Sequence, residues 1–343
     1  MKVAFDISPT STGHQVRGIG SYTKNLYEEF KKNRENVSFE FFNNNNVPDC
    51  DVVHYPYFDL FFKSLPSKSK AKRIVTIHDV IPLVFPNYFP VGIKGSVNLF
   101  FQKRSLKNTN AVICDSKTSK KDIVEKLSFP KDKVHVIYLA PSKIFKKLKN
   151  STLKITQKYN IPEKFVLYVG DVNWNKNLIN LLTAIKLSKS NLVMVGKALT
   201  EKNLPQTQEI DRLIKKLNIE KNVIKTGYIS DEELAQIYNL AQATLQPSFY
   251  EGFGLPLLES MACGTPVISS NLASLAEISG DLSLVCDPTN PEDIAKQIEN
   301  LLKLDAAKTQ ELSQKLTKHA AKFTWEKVAL HTIEVYQKVY ESN

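Results

Sequence analysis

The chain has 343 residues, 42% of them hydrophobic and 24% charged, enough to bury the cores of two ordinary domains. It shows neither a basic start followed by a long apolar run nor any stretch of 18 apolar residues; the reading therefore excludes a leader or spanning helix and expects a cytoplasmic protein. The net charge of +11 is uneven: residues 1–150 hold 25 Lys and Arg against 13 Asp and Glu, or +12, while residues 151–343 hold 21 against 22, or −1.

In chain order, "KVAFDI" (2–7) reads as a strand, and Ile19, Tyr22, Leu26, Tyr27 and Phe30 then fall on one helical face. "GIGSYT" (18–23) sets two glycines ahead of that helix without the third of the dinucleotide fingerprint, so hydride transfer loses its signal although the glycines can still approach a phosphate. Further strands are expected at "VSFEFF" (37–42), "DVVHY" (51–55), "RIVTIH" (73–78), "AVICDS" (111–116) and "KVHVIYL" (133–139), with helices near 93–107 and 117–127. "DCD" (49–51) has the spacing of a metal-binding carboxylate pair, but after Pro48 it reads as a solvated turn. Cys50, Cys114, Cys263 and Cys286 are scattered and lack a C-x-x-C pair, the pattern of buried thiols rather than of a metal site or disulfides.

After the Lys/Asn/Ser-rich stretch "KKLKNSTLK" (146–154) the alternation restarts with "FVLYVGD" (165–171), a helix from Asn177, "NLVMVG" (191–196), a helix near 206–217 and "NVIKTG" (222–227). Ser230 and Glu233 make a capping box ahead of "SDEELAQIYNLA", followed by "ATLQPS" (243–248) and "PVISS" (266–270). Two doubly wound α/β domains follow from this order.

The chemistry concentrates in "YEGFGLPLLESMACGTPV" (250–267). Gly252 and Gly254 free the backbone to turn, Pro256 suits the first turn of a helix, and Gly264 with Pro266 stops it. A glycine turn that opens a helix presents unpaired N–H groups and the positive end of the dipole, which is an anion site. Glu251 and Glu259 would repel a bound phosphate unless each accepts hydrogen bonds from hydroxyls of the same ligand. A ligand with both phosphate and sugar alcohols resolves the conflict, and a nucleotide sugar is such a ligand. His78-Asp79 ends the strand "RIVTIH", where open α/β sheets bind ligands. Signals for G-x-S-x-G hydrolases, H-E-x-x-H proteases and P-loop enzymes are missing.

"PSFYEGFGLPLLESMACGTPVISSN" (247–271), with "YVGDVNWNKNLINLLTAI" (168–185), "TGYISDEELAQIYNLA" (226–241), "RGIGSYTKNL" (17–26) and "IHDVIPL" (77–83), resembles family 4 of the retaining glycosyltransferases over nearly the whole chain. The resemblance implies a GT-B fold: two Rossmann-like doubly wound domains facing across a cleft. It assigns 154–323 to the nucleotide sugar and 1–153 plus 324–343 to the acceptor, the last helix crossing back. It implies that Glu259 holds the ribose and that Glu251 holds the sugar and phosphates together with the backbone of Phe253, Gly254 and Leu255. Lys176 would meet the diphosphate, Gly18 and Gly20 would face it from the first domain, and His78 would lie near the reacting carbon. Asn175, Ile229 and Lys197 join the donor set. Related sequences carry an arginine beside the lysine, whereas this chain reads Asn175-Lys176-Asn177, and Lys197 after Gly196 is the candidate substitute.

No metal or other cofactor is expected. The motif pairing is most similar to bacterial mannosyltransferases, which favours GDP-mannose, with UDP-hexose or dTDP-rhamnose as alternatives and a glycan or lipid-linked acceptor. A non-catalytic nucleotide- or glycan-binding partner of this fold is the competing reading. The basic first half contains no nucleic-acid module and suits an anionic membrane surface instead, through Tyr57, Phe58, Leu60, Phe61 and Phe62 followed by Lys63, Lys68, Lys70, Lys72 and Arg73; the alternative for this segment is that its aromatics pack under the first sheet and its lysines solvate a loop.

Overall fold

A computed structural model describes residues 1–11, 18–32, 37–43, 46–67, 69–149 and 154–342. These divide into two compact units, Met1–Ala140 with Thr324–Asn343, and Pro141–Phe323. The chain enters the second unit before its first helix, because Ile144 and Phe145 already pack into that unit's core against Tyr159, Phe165 and Tyr238.

The first unit is built on β1 (Lys2–Asp6), β2 (Ser38–Phe42), β3 (Val52–Tyr55), β4 (Lys72–Thr76), β5 (Ala111–Cys114) and β6 (Val134–Val136). All pair in parallel in the order β2-β1-β3-β4-β5-β6. β3 and β5 are buried along their whole length, as expected of parallel strands covered on both faces. The strand expected at 133–139 shrinks to Val134–Val136. It lies at the sheet edge, where Ile137 N still bonds the Cys114 carbonyl at 2.9 Å.

The second unit repeats the plan with β7 (Val166–Val169), β8 (Leu192–Val195), β9 (Val223–Gly227), β10 (Ala243–Gln246), β11 (Val267–Ser270) and β12 (Leu284–Cys286). The order is β12-β11-β10-β7-β8-β9, again parallel. The winding reverses between β7 and β10, so the crevice at their carboxyl ends is the topological switch point. β12 and the helices Ala273–Ser279, Pro291–Leu302 and Ala306–Ala320 complete the unit beyond the elements expected from sequence. Asn290 caps the second of these helices and Ile294, Ile298 and Leu301 bury one face of it, so its signal is ordinary.

The helix Trp325–Glu341 belongs to the first unit although it ends the chain. Thr324 caps it by accepting from Lys327 N at 3.3 Å, and Val328, Thr332, Val335 and Val339 are buried, as the sequence periodicity requires. Its Tyr336 hydroxyl meets His54 Nδ1 on β3 at 2.6 Å.

The 55–73 segment needs correction. Phe58 and Leu60 are buried in the first core and cannot enter a bilayer. Arg73 lies fully buried within β4, donating from Nη1 to the Ser105 carbonyl at 3.1 Å. Lys72 reaches the Tyr340 carbonyl at 3.1 Å and the Ser342 carbonyl. Phe62 is exposed, and Lys68 lies outside the described residues. Sequence adjacency groups side chains that the connection between β3 and β4 places partly in the core and partly in solvent. The "DCD" turn joins two strands, since Asp51 Oδ2 accepts from Lys2 N at 2.7 Å where β1 meets β3. The cysteines are free thiols, three of them buried.

Candidate active site

The carboxyl edge of the second sheet gathers most of the expected donor residues. After β7 the chain makes a short turn, Trp174–Lys176, and Asn177 takes the left-handed conformation at φ 58°. Asn is among the residues that tolerate this region. Its side chain fixes the turn by donating to the carbonyls of Pro247 at 2.9 Å and Pro288 at 2.6 Å. Asn175 is buried and donates to the Tyr250 carbonyl at 2.9 Å, while Phe249 N donates to its carbonyl at 2.8 Å. These bonds tie the loop after β7 to the loop after β10, and the stacked rings of Trp174 and Phe249, 5.1 Å apart, reinforce the tie.

The tie brings together Lys176 and Glu251, which stand 75 positions apart. Lys176 Nζ lies 2.9 Å and 2.8 Å from the two carboxylate oxygens of the buried Glu251. Ser248 Oγ donates to Oε1 at 2.7 Å, and Gln246 Nε2 approaches the same oxygen at 3.4 Å. A buried carboxylate requires such partners. Ser274 Oγ anchors the backbone by donating to the Glu251 carbonyl at 2.9 Å.

Three residues after Glu251, Gly254 opens the helix Leu255–Ala262 at φ +99°, where a Cβ would stand 2.5 Å from Leu275 Cδ2. Glycine is therefore required twice over, by conformation and by space. Phe253 is buried beside it. Glu259, one turn into the helix, is buried and accepts from the Tyr238 hydroxyl at 3.0 Å. Burial pushes its carboxyl up to about 7, with a smaller upward push from Asp231 and a downward pull from the Tyr238 bond.

Lys197 and Ile229 follow β8 and β9 on the same sheet edge. A Cβ on Gly196 would strike the Gly170 carbonyl, so the loops after β7 and β8 approach as closely as backbones can. Ile229 is buried in the second core. Lys197 is exposed and pairs with Glu201 at 3.7 Å, a surface contact of little energetic weight.

The remaining expected residues lie in the first unit. Gly18 begins the helix Gly18–Phe30, with open space around its α-carbon, and Gly20 is buried. Two residues later Tyr22 packs edge-on against His78, ring centroids 4.8 Å apart. His78 Nδ1 bonds Asp115 Oδ2 at 2.7 Å, and its own carbonyl accepts from Ser119 Oγ at 2.9 Å. Burial alone would lower the imidazole pKa, but Asp115, through charge and hydrogen bond, together with weaker contributions from Asp79 and the Pro56 carbonyl, leaves it raised. Nε2 is buried, and among the described residues it makes no hydrogen bond of full geometry. Behind this pair, the Tyr22 hydroxyl meets Thr76 Oγ1 at 2.9 Å, and Thr76 meets His54 Nε2 at 2.8 Å. His54, already bound to Tyr336, is held neutral with its pKa lowered to about 3 by burial and then by His78.

In the first unit Asp115, and in the second Ser248, Gln246, Tyr238 and Asn177, thus join the candidate residues without having been singled out from sequence. Asp115 had a signal, because it directly follows a parallel strand, as His78 does. Tyr238 and Gln246 had none, since they act only as partners of residues distant in the chain.

A fold of two parallel six-stranded sheets with carboxylates and a lysine at a switch point defines a GT-B glycosyltransferase. The chain belongs to the family described as Glycosyl transferases group 1, which matches residues 151–323, and the description Glycosyltransferase Family 4 matches residues 38–140. It is 30% identical over 276 residues to O-antigen chain mannosyltransferase B of Escherichia coli, covering 78% of this chain and 70% of that one. Serotype-specific mannosyltransferase WbdA of the same organism is 28% identical over 297 residues, 83% of this chain but only 36% of the longer relative. Among solved structures, Anabaena Alr3699/HepE in complex with UDP-glucose superposes with a TM-score of 0.76 at 17% identity, over 98% of this chain and 100% of that one. Among the described residues no helix is long and apolar enough to cross a membrane, and no cluster of metal-ligating side chains occurs.

Proposed function

We propose that this glycosyltransferase is a retaining hexosyltransferase that moves mannose from GDP-mannose to a glycan or lipid-linked acceptor without a metal ion. The observation that carries the proposal is the Lys176–Glu251 pair, held at the switch point beside a helix that starts at Gly254. Glu259 accepts the ribose hydroxyls, and Glu251 accepts hydroxyls of the sugar. The N–H groups of Phe253, Gly254 and Leu255 point at the phosphates, as at other helix starts. Asn175 and Ile229 shape the donor pocket. Gly18, Gly20 and His78 serve from the first unit, which binds the acceptor. Lys197 adds a cation to the donor side when its exposed side chain turns from Glu201.

Chemistry requires that the bond between the anomeric carbon and the diphosphate oxygen break, so negative charge grows on the leaving group. Lys176 exchanges Glu251 for that charge, and the helix-terminal N–H groups stabilise it as it forms. The acceptor oxygen bonds the anomeric carbon on the face the diphosphate leaves, and its proton passes to a departing phosphate oxygen. The raised pKa of His78 suits a donor of hydrogen bonds to the sugar near that carbon.

Mannose transfer is supported by the names of the two E. coli relatives, which specify no nucleotide, while the Anabaena structure holds UDP-glucose. A thermal-shift panel of GDP, UDP and dTDP decides the base: a nucleotide at 100 times its dissociation constant stabilises by about 2.7 kcal/mol. Release of GDP from GDP-mannose, with the product's anomeric configuration read by NMR, tests the reaction. A product of inverted configuration would overturn retention, and GDP binding without turnover at any acceptor would indicate a binding partner.

A further inference from the structure

Two histidines stand in one cluster of the first unit, and the fold treats them oppositely. His54 is fully buried and both its partners are hydroxyls, Tyr336 at Nδ1, 2.6 Å away, and Thr76 at Nε2, 2.8 Å away. A hydroxyl can donate or accept, so a neutral imidazole is satisfied there, and burial, followed by the charge of His78, lowers its pKa to about 3. His78 instead has a carboxylate at Nδ1, Asp115 Oδ2 at 2.7 Å, and its pKa is raised. Desolvation keeps a histidine that only fills the core neutral, as His54 is. Titratable neighbours pushed apart in this way mark a division of roles.

The elements around His78 fix the ring as well as its charge. Ser119 Oγ, in the first turn of the helix Lys117–Leu127, donates to the His78 carbonyl at 2.9 Å, and the Tyr22 ring stands edge-on with its centroid 4.8 Å away. The Tyr22 hydroxyl meets Thr76 Oγ1 at 2.9 Å, so this wall is itself held by the His54 cluster. Among the described residues, the titratable groups facing the imidazole are Asp115 after β5, the adjacent Asp79, Tyr22 from the helix Gly18–Phe30 and His54 on β3. Asp115, then Asp79 and the Pro56 carbonyl, favour the charged ring against its burial. Because a carboxylate only accepts, Nδ1 carries a hydrogen in both protonation states and Nε2 is the nitrogen that titrates. We propose that Asp115 is a positioning residue of the reaction: it fixes the ring through Nδ1 and holds a second hydrogen on Nε2, so that His78 presents a positive charge at the carboxyl end of β4. The His78 side chain keeps 19% of its surface exposed there. The proposal rests on the placement of His78 near the reacting carbon given above, where a fixed cation stabilises negative charge as it forms on the departing oxygen.

The test follows the imidazole signals of the full chain by NMR from about pH 5 to about pH 9, with His78→Gln identifying one signal among the six histidines. In wild type His78 should titrate above the ordinary 6.5. In Asp115→Asn, which keeps the shape of the side chain, it should titrate at least about one pH unit lower. Tyr22→Phe removes the bond to Thr76 but not the carboxylate, and should leave the titration in place. The profile of kcat/KM for GDP-mannose reports the free enzyme; its alkaline limb should follow His78 and move with it in Asp115→Asn, a roughly tenfold loss on that limb per unit of displacement. An Asp115 that serves only packing would lower kcat/KM at every pH without moving the limb, and that result overturns the proposal. So does a wild-type His78 that titrates at or below 6.5, or a signal that Asp115→Asn leaves in place or Tyr22→Phe moves equally. Wild type without turnover of GDP-mannose fails the donor reading alone: the profile is then taken with the nucleotide sugar selected by the thermal-shift panel, and the NMR titration needs no substrate.

Discussion

The fold controls the protonation of Glu259 through burial. Its folded-state pKa of about 7 lies above the ordinary 4.5, so the folded protein holds this proton more tightly than the unfolded chain. That contribution to stability is present below the ordinary value and is lost as pH rises through about 7, a loss on the order of 3 kcal/mol. Ribose hydroxyls prefer the ionised carboxylate, so GDP affinity should increase between about pH 6 and about pH 8. Glu259→Gln should flatten that pH dependence in calorimetry while making the free protein more stable at about pH 8; a variant that keeps the wild-type profile would remove Glu259 from the nucleotide site. Lys176 poses the opposite case. Lys176→Ala leaves the buried Glu251 carboxylate without its cation, so unfolding free energy should fall by about 3 kcal/mol. If Lys176 also meets the leaving diphosphate, kcat falls more than KM rises. The double variant Lys176→Ala/Glu251→Gln separates the effects: stability should recover and turnover should not.

Among the elements, the helix Leu255–Ala262 depends on the turn before it. Gly254→Ala must adopt φ +99° and displace Leu275, so a loss of about 2 kcal/mol is expected by denaturant titration. Adding Leu275→Ala removes the contact but not the conformational cost, and should restore stability only in part. If the N–H groups following residue 254 hold the phosphates, as proposed, nucleotide affinity should stay low in both variants, because the altered turn no longer aims them. The turn at Asn177 behaves similarly: Gly at that position keeps the left-handed conformation but loses the two bonds to Pro247 and Pro288.

Over the whole molecule, the helix Trp325–Glu341 completes the first unit from the far end of the chain. Truncation after Phe323 uncovers the surface under Trp325, Val328, Ile333 and Tyr336 and leaves His54 Nδ1 unpaired. Calorimetry should show the first unit melting at lower temperature, while GDP still raises the transition of the second. Tyr336→Phe isolates the polar part of the loss, about 1–3 kcal/mol for an unsatisfied buried group. A truncated chain whose first unit melts like wild type would show that the helix is an appendage.

Local pattern was enough to determine most of the architecture. Valine- and isoleucine-rich runs marked the strands of both parallel sheets, and the Gly-Phe-Gly-Leu-Pro turn marked a helix start beside two glutamates. Each of these signals lies within a few residues of the structure it dictates. The pairing of Lys176 with Glu251, of His78 with Asp115 and of Glu259 with Tyr238 joins residues 75, 37 and 21 positions apart, and depends on which strands become neighbours. The resemblance, not the periodicity, carried the expectation that the last helix crosses back. The aromatics of 55–62 show the same limit. Phe58 and Phe62 look equivalent in the sequence, yet the core covers the first and leaves the second exposed, because burial is decided by what the rest of the chain places above a side chain. The helix Ile93–Leu106 carries apolar residues on more than one side, and the structure buries Leu106 while leaving Ile93, Val97, Phe100 and Phe101 exposed, with Asn98 and Gln102 bonded to the preceding loop.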